Sequence, residues 1–513
     1  MDKESFSTLL TDLVLPMFAG ASIIGENDSS PRDFEVAQGV GGTVLVKPEK
    51  KDEYRLIIKR NQPFKSTDTN ILKEIIIELV KVSYFQVFEP TYLKKLQNIA
   101  IEKAICRSLF EESASTMVGL IEDMLVWSQK TYEGHGLTFG FIINGNAVSK
   151  STDKNLMYSE ILKNDFSALL SDGIMSYLEL DKDGYLIDHN MLTSSRSMSV
   201  CAPYLYSGFA RASHDKRIGI SLAKSGDLLI FKDCQLTVSR RHGVWNIFSH
   251  NEIVGLLSNN KSHTIKDIRK SIYFSALDTA FTRAGGCIVI LDAGQIGSVL
   301  KHIDVYDIID EKSFELKKQQ EFEESEKLFN YSHKQEMVKE IDCSFENFLK
   351  NPKCVKSSSL RKIIGNRKFH ELDRKLRQEL IGMDGAMVVD YDGTIVAVGA
   401  IIKIEAGSTG GGRLAATRTL SRYGVAMKIS TDGFIQGFAF DKKANLPKNI
   451  FSVGWHLSNL CYNLDNVNQM IAVCLLRAKW GKSELYRAGC RLTAGEGNFK
   501  ESATEINRFK AKA

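Results

Sequence analysis

Two short stretches carry residue types that could do chemistry: Asp384-Gly385-Ala386, and Ser408-Thr409-Gly410-Gly411-Gly412-Arg413-Leu414-Ala415-Ala416. Consecutive glycines that open a helix leave backbone N–H groups bare for an anion, and the helix dipole favours negative charge at that end. Arg413 adds a fixed cation. Asp384 can hold a divalent metal ion or orient a hydroxyl. The set is the equipment of a nucleotide-phosphate site.

The elements that must position these residues are readable around them. Ala386-Met387-Val388-Val389-Asp390 reads as a buried strand that begins just after Asp384. Asp392-Gly393 reads as a hairpin turn, and residues 394–402 as the returning strand. A glycine loop over 407–412, a helix over 413–423, a strand over 425–430 and a turn at Asp432-Gly433 follow. Strand, glycine loop, helix and strand in that order support a phosphate site far better than isolated glycines do. Arg418 and Arg422 lie four apart on one face of this helix and read as solvated residues or as further cations for phosphate.

These motifs resemble the diadenylate cyclase domain of the DNA-integrity-scanning protein family, which condenses two ATP molecules into cyclic di-AMP. The family's Asp-Gly-Ala motif resembles Asp384-Gly385-Ala386. Its Gly-Thr-Arg-His-Arg-Ala-Ala run is matched in part by Gly410-Gly411-Gly412-Arg413-Leu414-Ala415-Ala416, with Arg413 at the histidine and Gly412 and Leu414 at the two arginines. Ile429-Ser430-Thr431-Asp432-Gly433 is similar to a third family segment, shortened by one residue. The resemblance covers residues 265–440, with 307–342 as a charged insertion.

The resemblance implies a mixed β-sheet flanked by helices and attack by a 3′-hydroxyl of one ATP on the α-phosphorus of another, with pyrophosphate released. It implies Mg2+ or Mn2+ held by Asp384, with Asp432 as a second carboxylate on the metal side. Nucleotide contacts fall to Gly385, Ala386, Ser408, Thr409, Gly410, Gly411, Gly412 and Arg413. Two facing half-sites, and so a homo-oligomer, are implied as well. Fewer cations than the family carries leaves a second reading open: a nucleotide-binding sensor of the same fold that has lost the chemistry.

The rest of the chain sets the frame. Its 513 residues exceed one core and predict roughly three or four domains of about 100–200 residues. A composition 43% hydrophobic and 25% charged, with net charge +5, is that of a soluble protein without a global field for nucleic acid or membrane. Nine scattered cysteines without a Cys-x-x-Cys pair predict a reduced, cytoplasmic protein. Residues 9–24 are interrupted by Asp12 and Pro16 and read neither as a signal peptide nor as a span.

We therefore expect a multidomain α/β protein. An N-terminal α/β domain covers 1–105, a sensor-like α/β domain 106–262, the cyclase-like domain 263–440 and a C-terminal helical extension 441–513. Helices are expected over 70–82, 109–129, 265–282 and 357–380, and residues 307–342 read as a solvated helix or arm. Glycines precede an apolar strand three times, at Gly39, Gly134 and Gly285, so either related domains in tandem or generic helix–glycine–strand junctions account for the pattern. The middle domain shows no Asp-Gly-Ala equivalent in its sequence, and His135 and His242 read as turn or surface residues.

Overall fold

Runs of apolar residues too short for helices become strands with both faces covered, and their burial shows it: every residue of Gly286–Leu291 and of Ile395–Ala400 is buried. The computed structural model describes residues 2–26, 35–49, 54–83, 90–132, 135–146, 156–164, 167, 169–192, 200–241, 243–258, 266–327, 338–404 and 411–453. Residues 2–453 lie within one compact unit built on mixed α/β lines, with three main sheets. Among the described residues no helix is long and apolar enough to cross a membrane.

The N-terminal sheet is four-stranded and antiparallel, in the order Ser22–Glu26, Leu56–Lys59, Val44–Val46, Val36–Gln38. Helices Ser66–Ser83 and Pro90–Phe110 accompany it, so a boundary at residue 105 cuts a helix. The helix expected over 109–129 is broken at Glu111–Ser113, where Glu111 takes a positive φ of 48°, and resumes as Ala114–Trp127.

The second sheet runs Val244–Ile247, Gln235–Arg241, Leu228–Lys232, Arg217–Leu222, Phe139–Asn144, Ser176–Leu180, Leu186–Met191. The third runs Leu446–Val453, Ile435–Asp441, Gly424–Ile429, Gly286–Leu291, Ala386–Val389, Ile395–Ala400. In each, a helix leads to a first strand that pairs parallel with the next one and antiparallel with a meander. The third sheet extends past residue 440, because Leu446–Val453 is its sixth strand. The start of the expected helical extension is therefore sheet.

The two sheets agree in register as well as in order. Phe141↔Leu178, Ile142↔Glu179 and Ile143↔Leu180 match Ile288↔Met387, Val289↔Val388 and Ile290↔Val389. Gly219↔Phe231 to Leu222↔Leu228 match Ala426↔Phe438 to Ile429↔Ile435, and a bulge falls at Ile230/Phe231 in one and Gly437/Phe438 in the other. Both parallel partners end in the same turn, Asp181-Lys182-Asp183-Gly184 and Asp390-Tyr391-Asp392-Gly393, with glycine φ of 92° and 89°. The tandem reading thus holds for the second and third glycine openings. It fails for the first, whose sheet is purely antiparallel.

Helix Lys266–Phe281 lies in a continuous apolar core that joins Ile142, Leu229 and Phe231 of the second sheet to Ile288, Ile290 and Met387 of the third. The third sheet's other face, with Val289, Val388 and Ala426, packs with Leu420, Phe314 and Phe345. Phe314 belongs to helix Glu311–Lys327, which was expected to be solvated. That helix instead buries Phe314 and a Lys317–Glu321 ion pair of 2.8 Å, and Lys317 Nζ donates to Leu300 O at 2.9 Å. These two charges leave water together, while Glu311, Lys312, Glu315, Glu323 and Glu324 stay on the solvated face that the charge run predicts. The helix expected over 357–380 is two, Val355–Ile364 and Arg374–Gly382, because Gly365 at φ 62° ends the first. Residues 454–513 and His242 lie outside the described residues.

Candidate functional site

Topology brings both motifs to one end of the third sheet. Strands Gly286–Leu291 and Ala386–Val389 begin there, while Gly424–Ile429 and Ile395–Ala400 end there, as the pairs Gly286↔Ile429, Cys287↔Ala386 and Ala386↔Ala400 require. Asp384 precedes one strand and Asp432 follows another. The Gly286–Leu291 strand lies between those two, so the carboxylates sit on backbones roughly 10 Å apart, two strand spacings.

Asp384 is exposed, and its Oδ1 accepts the Gly385 N–H at 3.1 Å. Gly385 has φ 100°, and a Cβ on it would stand 2.4 Å from the Gly399 carbonyl carbon, so the neighbouring strand passes where any side chain would sit. Lys356 pins that strand: its Nζ donates to Gly399 O at 2.7 Å and to Asp307 Oδ1 at 2.5 Å, while Asp307 Oδ2 accepts from Ile401 N–H at 3.2 Å. The backbone beside Asp384 is held from behind, leaving the carboxylate facing outward.

The helix after the glycine loop spans Gly412–Leu420, and among the described residues no side chain caps it at Gly411. Thr417 ties it down, donating to Arg413 O at 2.7 Å and lying 3.3 Å from Cys287 Sγ on the first strand. Burial pushes the Cys287 thiol up to about 11, so it stays neutral there. Arg413 crosses the start of the first strand: a Cβ on Gly285 would lie 2.1 Å from Arg413 Nη1 and 3.2 Å from Thr431 Cγ2. A side chain at 285 would occupy the place of the guanidinium.

Lys428 pairs with Cys287 on the same strands and is half-buried. Burial holds its ammonium below the ordinary lysine value, nearby Arg418 and Arg413 push the same way, and Asp432 opposes them. Arg413 and Arg418 are therefore both close enough for Lys428 to feel, with Asp432 beside it. Like charges gathered in this way cost free energy, which Asp432 offsets in part. Arg422 turns elsewhere, over the Phe440 ring at 5.8 Å.

The structure thus gathers Asp384, Gly385, Ala386, Gly411, Gly412, Arg413 and Asp432 at one sheet end; Ser408, Thr409 and Gly410 lie outside the described residues. Lys428 went unnoticed in the sequence. Its signal is a lysine inside the otherwise apolar run Val425-Ala426-Met427-Lys428-Ile429. Among the described residues no group of three or more His, Cys, Asp or Glu gathers to hold a metal ion. Mg2+ takes only one or two carboxylates when phosphate oxygens and water complete its shell, and the oxygen donors Asp384 and Asp432 fit that role.

The second sheet carries the counterpart that its sequence had concealed. Asp172-Gly173-Ile174 lies ahead of strand Ser176–Leu180, three residues further from the Asp-x-Asp-Gly turn than Asp384-Gly385-Ala386, whose alanine already opens its strand. No family model matches the chain, and neither a characterised protein nor a solved structure is similar to it.

Proposed function

We propose that the third sheet binds ATP and is a nucleotidyl cyclase of the diadenylate-cyclase type, forming cyclic di-AMP or a related cyclic dinucleotide. The observation that carries this reading is the convergence of Asp384, the Gly411–Arg413 helix start and the three cations Arg413, Arg418 and Lys428 at one sheet end. Arg418 and Lys428 also supply charge that the departures at Gly412 and Leu414 remove, which favours the active reading over a nucleotide sensor without chemistry.

In this reading the bare helix start and the cations bind the triphosphate, and Asp384 orients the 3′-hydroxyl of the facing nucleotide. The oxygen of that hydroxyl bonds to the α-phosphorus, the bond from the α-phosphorus to the bridging oxygen breaks, and pyrophosphate leaves with its charge neutralised by Arg413 and Lys428. The hydroxyl proton passes to Asp384 or to water. A second, equivalent transfer closes the ring. Mg2+ or Mn2+ on Asp384 and Asp432 would lower the hydroxyl's pKa and screen the phosphates. Two half-sites must face each other, so the active form is a homo-oligomer, and a cytoplasmic location supplies ATP.

Purified protein with MgATP is expected to release two pyrophosphates per cyclic dinucleotide, and Asp384→Asn to stop release while keeping nucleotide binding. Binding without release by the wild type would favour the sensor. Absence of binding would overturn both.

A further inference from the structure

The two related sheets meet at the same turn. In the second sheet this turn is Ala223–Asp227, with Gly226 at φ 80° donating to Ala223 O at 2.8 Å; in the third it is Ser430–Phe434, with Gly433 at φ 85° donating to Ser430 O at 2.9 Å. Arg241, from the last residue of strand Gln235–Arg241, stands between them. Its Nε donates to Asp227 Oδ2 at 3.1 Å and its Nη1 to Gly433 O at 2.8 Å, with both side chains of the ion pair almost wholly buried. The guanidinium also lies 4.5 Å from the Phe281 ring, at the end of the helix whose core spans both sheets. Ser225 Oγ donates to the same Asp227 oxygen at 2.7 Å. A Cβ on Gly433 would stand 2.1 Å from Arg241 Nη2.

Gly433 directly follows Asp432 and lies two residues after Thr431, which with Arg413 flanks Gly285 at the start of the first strand. We infer that Arg241 is a positioning residue through which the second sheet sets the nucleotide site of the third: Asp227 holds the guanidinium, and the guanidinium holds the turn that carries Thr431 and Asp432. The inference rests on the nucleotide reading of that site. Two features support a specific device over general packing. A buried guanidinium needs its acceptors, since losing one leaves an uncompensated charge in the interior. And Arg241 bonds one group from each of the two equivalent turns, so any shift of the Ala223–Asp227 turn must be carried to Gly433 or break a buried bond. A domain whose own site has closed thereby keeps a lever on its active relative.

The test compares Arg241→Gln and Asp227→Asn with Phe231→Leu, a packing change in the same sheet chosen to lower stability by a similar amount. Two readouts are taken on the full-length protein: MgATP affinity by calorimetry, and amide exchange of residues 430–434. Both polar variants are expected to weaken MgATP binding about tenfold, as the loss of one charge-assisted bond would, and to speed exchange in 430–434, whereas Phe231→Leu does neither. Unchanged exchange in 430–434, unchanged affinity in Arg241→Gln, or equal weakening in all three variants would overturn the inference. If the wild type binds no MgATP, the nucleotide reading fails on its own, and exchange in 430–434 still decides whether Arg241 holds the turn.

Discussion

The second and third sheets share strand order, register, turns and bulge, yet their corresponding ends differ in chemistry. At the third sheet's end Asp384 is exposed, and Lys428, Arg413 and Arg418 gather near Asp432. At the second sheet's end Asp172 is consumed locally: its Oδ1 accepts the N–H groups of Ile174, Met175 and Ser176 at 2.9, 2.6 and 3.1 Å. Where the third sheet has Lys428, the same register position in the second holds Ser221, fully buried. Gly173 lies against it, since a Cβ there would be 2.5 Å from Ser221 Oγ, and Ser171 Oγ donates to Gly140 O at 2.7 Å. One backbone plan therefore supports an open end with gathered cations and a closed one whose charges are paired or hydrogen-bonded locally. Fold and site are separable, and the difference lies in a few side chains.

The largest expected contrast comes from the paired aspartates. Asp384→Asn should cut pyrophosphate release by about 10²–10³-fold, as removal of a single charge-stabilising group does, with no loss of thermal stability. Asp172→Asn should leave nucleotide turnover unchanged and cost about 1–3 kcal/mol through its three backbone bonds, read by denaturant unfolding. Equal effects of the two on turnover would dissolve the contrast between the sheets.

Exchanging the residues at the shared register position comes next. Ser221→Lys buries an unpaired ammonium and should destabilise by about 3–5 kcal/mol. Lys428→Ser should keep the fold and weaken MgATP binding about 10–100-fold, one charged contact being lost. A Lys428→Ser protein that binds MgATP like the wild type would remove this lysine from the site.

The equivalent turn glycines differ by what lies over them. Gly226 has no atom closer than 3.6 Å to a would-be Cβ, so Gly226→Ala should cost only the positive-φ strain, about 1 kcal/mol. Gly433→Ala must also displace the buried Arg241 and should cost about 2–3 kcal/mol. Thermal melts of the two variants, side by side, measure the difference.

The smallest contrast is one of pH and of sign. Burial pushes the Asp390 carboxyl up from 3.8 to about 6, and its Oδ1 has no hydrogen-bond partner among the described residues. Because its folded pKa is the higher one, the folded state holds the extra proton between these values. The stability it brings is fully present below pH 3.8 and is lost as pH rises through about 6. Asp390→Asn should therefore gain about 1–2 kcal/mol at pH 7.5 and nothing near pH 3.5. Asp181 occupies the same turn position in the second sheet, but its Oδ1 accepts from Asp183 and Tyr185 N–H at 3.0 and 2.9 Å. Asp181→Asn should lose about 0.5–1 kcal/mol at neutral pH. Unfolding at the two pH values separates the cases.

How much of this was legible depends on whether a signal was local. The strand at 386–389, the turn at Asp392-Gly393, the helix after the glycines and the turn at Asp432-Gly433 could be read because apolar runs and Asp-Gly pairs announce them over a few residues. The relation between the sheets was half-seen in the glycine openings. Its better sign, Asp-x-Asp-Gly at 181–184 and 390–393, was masked because turn chemistry alone explains such motifs, and Asp172-Gly173 was masked by its three-residue offset. Lys428 and Arg418 could not be assigned from spacing, because the cation group exists only once strand pairing brings three segments to one end. Helix Glu311–Lys327 was read in part, since most of its charges are exposed, but a charge run says nothing about whether Lys317 and Glu321 find each other inside.

The central claim is that a nucleoside triphosphate occupies the end of the third sheet and not the corresponding end of the second. Hydrogen–deuterium exchange of the full-length protein with and without MgATP tests it most directly. Protection is expected at 284–287, 382–387, 411–418 and 428–434, with 137–141 and 171–176 unchanged. Protection at the second set, or none at the first under saturating MgATP, would contradict it.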